Sequence, residues 1–165
     1  MTIQPPRPGE IALPFDPAAR GGNAHVVFIG CIRTSWTSRA DAPKNPREAR
    51  ERGVTAHIEL DEPYRAGLDG LERFSHAIVL YWMHQARRDL IVQSPKHSPV
   101  PRGVFGLRSP LRPNPVALAV VRLLSIDAAT GRIEIDAIDC LDGTPLLDIK
   151  PYLPSVDSVP DATGR

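Results

Sequence analysis

Hydrophobic positions cluster in short runs rich in β-branched residues, and each run is followed by polar or proline-containing sequence. The first run is HVVFIGCIRT (25–34), and VTAHIEL (54–60) and SHAIVLYWMHQ (75–85) follow it. β-Branched residues, short length and partial alternation favour strands over helices. We therefore predict a strand in each run, with His84 and Gln85 at the rim of the third.

The second half of the chain has the pattern of a β-hairpin followed by a tight turn. VALAVVRLLSI (116–126) and RIEIDAIDC (132–140) flank DAATGR, in which Gly131 can adopt a positive φ angle. Ile138 breaks the alternation, which predicts a bulge beside Asp139. An Asp-Gly turn and an extended run come next. The sum is four or five antiparallel strands without crossover helices, so we predict a mainly β fold, a small antiparallel β-barrel with short helices and long loops.

Long polar stretches separate these strands. Residues 35–53 contain Pro43 and Pro46 and predict a long loop, and loops of this length in a compact domain are usually functional. In residues 86–115, basic residues alternate with prolines and glycines, and only VFGL (104–107) looks like a strand. We expect an N-terminal extension over residues 1–24, a barrel domain over 25–154 and a C-terminal tail over 155–165.

Length, charge and composition limit the number of domains, the partners and the location of the protein, but they do not indicate an activity. The 165 residues suit one ordinary domain, and a net charge of +1 does not indicate a polyanionic partner, so nucleic-acid binding would need a local basic patch. No apolar run has the length of a signal peptide or a membrane span, so we expect a cytoplasmic protein without membrane contact. One basic cluster in the sequence could supply the patch: Arg87, Arg88, Lys96, His97, Arg102 and Arg112.

Common catalytic and metal-binding motifs are absent from the sequence. There is no glycine-rich dinucleotide fingerprint, phosphate-binding loop, zinc-protease motif or serine nucleophile elbow. Cys31 and Cys140 are too far apart for a Cys-x-x-Cys motif, so we expect two buried thiols, no disulfide scaffold and no metal.

Two segments combine polar side chains with restricted backbone. GVFGLRSPLRPNP (103–115) holds Arg108 and Arg112 in a stiff loop, and guanidinium groups suit carboxylates or phosphates. IDCLDGTPLLDIKPY (138–152) places carboxylates around the Asp-Gly turn. From the pattern alone, the arginines could equally be solvated loop charges, and turn formation by itself explains the Asp-Gly pair.

The order of four strings identifies a family resemblance. IGCIRT, GLERFSHAIVLYWMHQ, GVFGLRSPLRPNP and DCLDGTPLLDIKPYLP resemble the TsaA-like family of S-adenosylmethionine-dependent tRNA methyltransferases, from about Ile29 to about Pro154. The resemblance implies a small antiparallel barrel that forms a homodimer and binds S-adenosylmethionine near the subunit interface. It also implies methylation of the exocyclic nitrogen of threonylcarbamoyl-modified adenosine beside the tRNA anticodon.

The resemblance also assigns residues to this activity. The general base is not identified, and His84, Asp139 and Asp142 are its candidates. Asn45 stands where the family has Gln, Gly106-Leu107 replaces a small residue followed by Thr, and Ala117 replaces Gly. Donor-binding residues are Asn45, Pro46, Arg47, Glu48, His84, Gln85, Arg108, Leu118, Asp139, Cys140, Leu141 and Asp142, and substrate-binding residues are Arg102, Arg112, Asn114, Lys150 and Tyr152.

Two alternative functions stay open. Longer family members add a C-terminal domain that helps hold tRNA, whereas only DSVPDATGR follows the predicted barrel here, and the net charge is nearly balanced. The chain could therefore methylate a small molecule or a protein. It could also be a non-catalytic S-adenosylmethionine-binding module.

Overall fold

The computed structural model describes residues 5–16, 19, 25–95 and 100–164, which divide into two units. The first unit contains the described residues of 1–27 and 82–117, and the second contains those of 28–81 and 118–165. Within the described residues there are nine strands and two α-helices. They are β1 (Ile11–Ala12), β2 (Gly30–Arg33), α1 (Pro46–Glu51), β3 (Ala56–Leu60), β4 (His76–Trp82), β5 (Leu90–Gln93), β6 (Arg102–Gly103), β7 (Val116–Asp127), β8 (Arg132–Ile135), β9 (Thr144–Pro151) and α2 (Pro154–Asp157).

Six of these strands close into an antiparallel barrel in the order β2-β3-β8-β7-β4-β9. Alternate side chains of each strand point into the barrel, as the pleat of a β-strand requires. Burying these aliphatic side chains supplies the main favourable term for folding. The mainly β barrel that the sequence predicts is confirmed. Its fully buried side chains include Ile32, Ile58, Val79, Val121, Ile133, Ile135 and Leu146.

The predicted hairpin between β7 and β8 is also confirmed. The carbonyl of Asp127 accepts from the Gly131 amide at 2.8 Å, and the Asp127 carboxylate accepts from Thr130 Oγ1 at 2.8 Å. Gly131 has a φ of +75°, and a Cβ there would lie 2.5 Å from the carbonyl oxygen of Leu60. The turn therefore requires glycine for both its backbone angle and its close approach to β3.

A three-stranded sheet, β1-β5-β6, belongs to the first unit. Its strands have two to four residues, which is too short for a clear alternation in the sequence, and they were not predicted. The expected count of four or five strands was therefore too low. Part of the predicted N-terminal extension is ordered here, because Ile11 pairs with Val92 and Ala12 with Leu90.

The prediction of a continuous loop over residues 35–53 was wrong, because helix α1 lies within it. Asn45 caps the helix by accepting from the Glu48 amide at 3.0 Å. Pro46 occupies the first turn, where a missing N–H has no cost, and Glu48 brings negative charge to the N-terminal end. These local signals outweigh the proline content that favoured a loop.

Four further predictions need correction. Residues 104–106 form a 3₁₀ turn instead of a strand, the first predicted strand begins at Gly30 rather than His25, and β4 ends at Trp82, before His84 and Gln85. The alternation breaks at Ile138 because β8 has already ended at Ile135, and the register shift lies on the partner strand, between Leu123 and Ser125.

Three further expectations concern the cysteines, membrane-spanning helices and metal binding. Cys31 and Cys140 are free thiols, but only Cys140 is fully buried, so the expectation of two buried thiols holds for one of them. In the described residues, neither α-helix is long and apolar enough to cross a membrane, and no group of three His, Cys, Asp or Glu side chains could hold a metal ion.

Candidate functional site

The Asp139–Asp142 segment of the second unit is fastened to the residues that follow β2. The Asp142 amide donates to the Trp36 carbonyl at 2.8 Å, and the Gly143 amide donates to the Ile32 carbonyl at 2.9 Å. Thr34 Oγ1 donates to the Cys140 carbonyl at 3.1 Å. Since the segment lies outside regular strand pairing, these bonds satisfy its backbone groups and fix its position.

Two carboxylates of this segment have defined partners. The buried Tyr81 hydroxyl donates to Asp139 Oδ1 at 3.1 Å. Asp142 Oδ1 accepts from the Thr34 amide at 3.1 Å, and Asp142 Oδ2 lies 3.6 Å from Arg33 Nη1. Asp142, one of the three candidate bases, therefore has a structural role in holding this turn.

Arg33 extends this anchor onto the neighbouring strand. Its Nε donates to Glu59 Oε2 at 2.8 Å, and this bond is the main cause that holds the pKa of the Glu59 carboxyl below its usual range. Glu59 also lies 3.3 Å from His57 Nε2. An ion pair between partly exposed groups contributes about 0–1 kcal/mol, so its chief effect is to orient Arg33 beside Asp142.

Helix α1 carries the segment Asn45–Glu48 and is attached to the barrel by its arginines. Arg50 donates to Asp136 Oδ2 at 2.6 Å and to the Val120 carbonyl at 2.8 Å. The guanidinium of Arg52 lies 5.3 Å from the ring centroid of Trp36. The side-chain oxygen of Asn45 accepts the capping hydrogen bond of the helix. This bond is a local reason for Asn at the position where the resemblance predicts Gln.

Leu118 lies on β7, two residues before Val120, and its side chain is 42% exposed. Alternate residues of a strand point to the same face, so Leu118 and Val120 both point outward while Ala119 is buried. Helix α1 is thus linked through Arg50 to the strand that carries Leu118 and, through Arg52 and Trp36, to the turn segment. The predicted donor-binding residues of the second unit fall into three groups. They are the α1 segment (Asn45, Pro46, Arg47, Glu48), Leu118, and the turn segment (Asp139, Cys140, Leu141, Asp142).

Lys150 and Tyr152 lie at another part of the second unit. Lys150 pairs with Asp148 at 2.6 Å, and the Tyr152 amide donates to the His76 carbonyl at 3.0 Å. Asp148 also lines a cavity of about 470 Å³ beside the 3₁₀ helices of residues 62–68 and 71–73. The substrate-binding role of Lys150 and Tyr152 stays a prediction.

In the first unit, His84 and Gln85 are exposed in a turn after β4. The Met83 amide donates to the Pro115 carbonyl at 2.9 Å, and the Ala86 amide donates to the Met83 carbonyl at 2.9 Å. Gln85 Nε2 lies 3.4 Å from His84 Nε2. The turn therefore presents both side chains to solvent from a backbone that is fixed to the proline-rich loop.

The proline-rich loop is held by side chains that donate to its carbonyls. Arg112 Nε donates to Ser109 at 2.9 Å, and its Nη2 donates to Val104 at 2.9 Å and also to Leu107. Arg88 donates to Pro113 at 2.6 Å, and Gln93 donates to Leu111 at 2.5 Å. The loop is thus preorganised around the exposed Arg108, which supports the stiffness inferred from its prolines.

The basic cluster predicted from sequence is partly used for folding. Arg87 pairs with Asp89 at 2.6 Å, Arg88 lies over the Trp82 ring at 5.2 Å, and Arg112 holds the proline-rich loop. Arg102 and Asn114 are exposed. Lys96 and His97 lie outside the described residues. The substrate-binding roles of Arg102, Arg112 and Asn114 stay predictions.

Sequence reasoning missed two residues that organise this region. Tyr81 holds Asp139, and Trp36 contacts both the Asp139–Asp142 segment and helix α1. Tyr81 occupies an inward position of a strongly apolar strand, so its pattern indicated core. Trp36 is the single large apolar residue in a polar stretch, which is a signal that could have been followed.

Most of the chain matches the model of a known protein family. The model of the tRNA-methyltransferase O N-terminal domain matches residues 31–158, which include the β2 end, helix α1, the proline-rich loop and the Asp139–Asp142 segment. The chain belongs to the tRNA-methyltransferase O N-terminal domain family.

Relatives and solved structures of this family agree with the assignment. VirR of Rhizobium radiobacter, named a probable S-adenosyl-L-methionine-binding protein, is 40% identical over 141 residues, 86% of this chain and 75% of its own. An S-adenosyl-L-methionine-binding protein of Archaeoglobus fulgidus is 38% identical over 137 residues, 83% of this chain and 95% of its own. Both names agree with the donor that the resemblance implies.

The fold agrees with crystal structures from the same family. The TrmO structure from Pseudomonas aeruginosa has a TM-score of 0.69 at 35% identity, covering 86% of this chain and 62% of that chain. A second TrmO structure has a TM-score of 0.70 at 36% identity, covering 87% and 64%. This chain therefore spans about three fifths of the TrmO chains that it matches.

Proposed function

We propose that this protein is an S-adenosylmethionine-dependent methyltransferase that methylates the exocyclic nitrogen of threonylcarbamoyl-modified adenosine beside the tRNA anticodon. The observation that carries the proposal is the family match over residues 31–158, within which helix α1 is linked to the strand that carries Leu118 and, through Trp36, to the Asp139–Asp142 segment. The names of the relatives, which refer to S-adenosylmethionine, support the choice of donor.

The residues of the second unit suit the chemistry of this donor. S-Adenosylmethionine combines a flat adenine, ribose hydroxyls and an amino-acid end, so it needs both an apolar surface and hydrogen-bond acceptors. Leu118 offers an exposed apolar side chain, and Asp139 offers a carboxylate that Tyr81 orients. We assign Leu118 to the adenine face and Asp139 to a hydroxyl or amino group.

The first unit supplies the charge that the donor's carboxylate requires. Arg108 is exposed on a loop that Arg112, Arg88 and Gln93 hold in place. A guanidinium on a fixed backbone pairs with a carboxylate at little entropic cost. We assign Arg108 to the donor's carboxylate, and His84 and Gln85 to donor binding.

The proposed reaction depends mainly on alignment. When bound, S-adenosylmethionine supplies a methyl carbon that the acceptor nitrogen attacks in line with the departing sulfur, and positioning accounts for much of the acceleration in such a step. The nitrogen loses its proton as its new bond to carbon forms. Of the three candidate proton acceptors, Asp142 accepts from the Thr34 amide and faces Arg33, and Asp139 accepts from the Tyr81 hydroxyl, so His84, Asp139 and Asp142 all stay candidates.

Methyl transfer to defined RNAs tests this function. Labelled S-adenosylmethionine is incubated with the protein and tRNA that carries the threonylcarbamoyl group, and the matched control is the same tRNA without that group. We expect transfer to the modified tRNA alone. Arg102→Ala should raise the KM for tRNA and leave donor affinity unchanged. It should also reduce the slope of the logarithm of tRNA affinity against the logarithm of salt concentration by about 1, the value for one phosphate contact.

The other outcomes separate the competing functions. Equal transfer to both tRNAs would contradict the assigned acceptor group. Transfer to a small molecule or a protein, with no labelled RNA, would identify a different methyltransferase. Donor binding with no transfer to tRNA or to a cell lysate would identify a binding module.

A further inference from the structure

We propose that Trp36 is a positioning residue that couples helix α1 to the Ile138–Gly143 segment. This inference rests on the proposed function, in which both segments bind S-adenosylmethionine. Trp36 then fixes the position of one part of the donor site relative to the other. Nothing in the sequence motifs assigns this role to Trp36, which lies between β2 and α1.

The contacts with the Ile138–Gly143 segment come from both the side chain and the backbone of Trp36. The indole Nε1 donates to the Ile138 carbonyl at 3.2 Å in a buried position. The Trp36 carbonyl accepts from the Asp142 amide at 2.8 Å. The Trp36 amide donates to Thr34 Oγ1 at 3.2 Å, and that hydroxyl in turn donates to the Cys140 carbonyl. Trp36 therefore contacts the segment at its start and near its end.

The contact with helix α1 passes through Arg52, the C-cap residue of the helix. Its guanidinium lies 5.3 Å from the centre of the Trp36 ring, donates to the Asp41 carbonyl at 2.6 Å and pairs with the Glu48 carboxylate. Glu48 also accepts from the Lys44 amide at 3.0 Å. If the Trp36 ring moved, Arg52 would lose its contact with the ring. The position of Glu48, which pairs with Arg52, would then be less fixed.

Neither segment belongs to a β-sheet, so both depend on side-chain and loop contacts, of which those of Trp36 are the ones that reach both segments. Helix α1 has six residues, far below the length at which an isolated helix is stable in water. The segment from Ile138 onward lies between the ends of β8 and β9. Trp36 is 8% exposed and its ring is rigid, so fixing it costs little conformational entropy. The geometry makes Trp36 the shared support of both segments.

Hydrogen exchange of the ligand-free protein tests the coupling directly. Arg52→Ala removes the contact with the ring and should speed exchange of the Asp142 and Gly143 amides about tenfold, although Arg52 touches neither. In a Trp36→Leu background, Arg52→Ala should have no further effect on these amides. Trp36→Phe keeps a ring beside Arg52 but loses the indole donor, so it provides a milder second variant if Trp36→Leu folds poorly.

Donor binding tests the consequence for the site. Trp82→Phe leaves Trp36 as the one tryptophan of the chain, and its fluorescence should change on titration with S-adenosylmethionine. Trp36→Phe should weaken donor binding about tenfold by calorimetry. The matched control is Arg65→Ala, because Arg65 also donates to backbone carbonyls of the second unit, at Leu60 and Ala129. It should lower the melting temperature without changing donor affinity.

The results that would overturn the proposal are distinct from failure of the proposed function. Unchanged exchange at Asp142 and Gly143 in Arg52→Ala, or additive effects of the two substitutions, would show that no coupling exists. Unchanged donor affinity in Trp36→Phe would show that the coupling does not position the site. If the unaltered protein bound no S-adenosylmethionine, the proposed function would fail, while the exchange experiment would still decide whether the segments are coupled.

Discussion

Cys140 shows how a residue inside a functional motif is constrained by the barrel. Its side chain is 1% exposed, and burial raises the pKa of its thiol to about 12. Because the thiolate is the reactive form, this thiol is inert near neutral pH. Its proposed contribution to donor binding must therefore come from its backbone or from the position that it gives to Leu141 and Asp142.

Thiol labelling checks this directly. In a Cys31→Ser variant, which leaves Cys140 as the one cysteine, we expect no reaction with a thiol reagent at pH 8 in the native state and full reaction after unfolding in denaturant. The control is Cys140→Ser: burial also raises the pKa of the half-buried Cys31, but this more accessible thiol should react faster in the native state than Cys140 does. Rapid native labelling of Cys140 would contradict its burial.

At the same scale, the sequence predicts candidate site residues but not the contacts that they make. The motif strings contained Asp139, Asp142, Arg108 and Arg112. Arg112 holds three carbonyls of its own loop, whereas Asp142 accepts from an amide more than 100 positions earlier. The pairing of Asp142 arises only when the barrel brings β2 beside β9, so one-dimensional patterns could not predict it.

Among the elements, each long hydrophobic run contains a strand, although the first strand begins five residues later than predicted, whereas short elements escaped prediction. Strands β3, β4 and β7 have clear alternation because one face packs into the barrel. Strand β1 has two residues and depends on pairing with β5. Helix α1 could have been found from its cap and first-turn signals, Asn45, Pro46 and Glu48, but Pro43 and Pro46 suggested a loop.

The attachment of β1 should depend on pH through Glu10. Arg7 donates to the Glu10 carboxylate at 2.7 Å, and this bond is the main cause that lowers the pKa of Glu10 to about 2. A lowered native pKa stabilises the folded arm at pH values above the ordinary pKa of about 4.5, and this stabilisation is lost as the pH falls toward 2.

Hydrogen exchange at the Leu13 amide, which donates to the Asp89 carbonyl, reports this attachment. After correction for the intrinsic effect of pH, protection should fall between pH 4.5 and pH 2. The isosteric variant Glu10→Gln should have weaker protection at pH 7 and a flat pH profile over this range. A steep profile in Glu10→Gln would assign the effect to another group.

For the whole molecule, we propose that two copies associate through the outer face of the barrel. Leu124 and Leu118 on β7 are 48% and 42% exposed, and Ile78 and Leu80 are half-buried on the neighbouring strand β4. These apolar side chains surround the exposed Arg122 on the outer face, and exposed apolar surface of this kind is typical of an interaction site. A second copy would cover it and, since Leu118 is assigned to the donor, would place the site near the interface.

Sedimentation of the purified protein tests this assembly. We expect a dimer at micromolar concentration and a shift toward monomer in Leu124→Lys, because burying an unpaired lysine at an interface is costly. The matched control is Arg122→Lys on the same strand and face, which keeps its charge and should remain dimeric. A monomer in the unaltered protein would contradict the homodimer.

The central proposal is that this protein binds S-adenosylmethionine and that Arg108 takes part in the binding. Isothermal titration calorimetry of the protein with S-adenosylmethionine tests it most directly, with Arg108→Ala as the variant and Arg73→Ala, an exposed arginine of the second unit, as the matched control. We predict saturable binding by the unaltered protein and by Arg73→Ala, and at least about tenfold weaker binding by Arg108→Ala, in keeping with the loss of a charge-assisted hydrogen bond. No binding by the unaltered protein, or equal affinity in Arg108→Ala, would contradict the account.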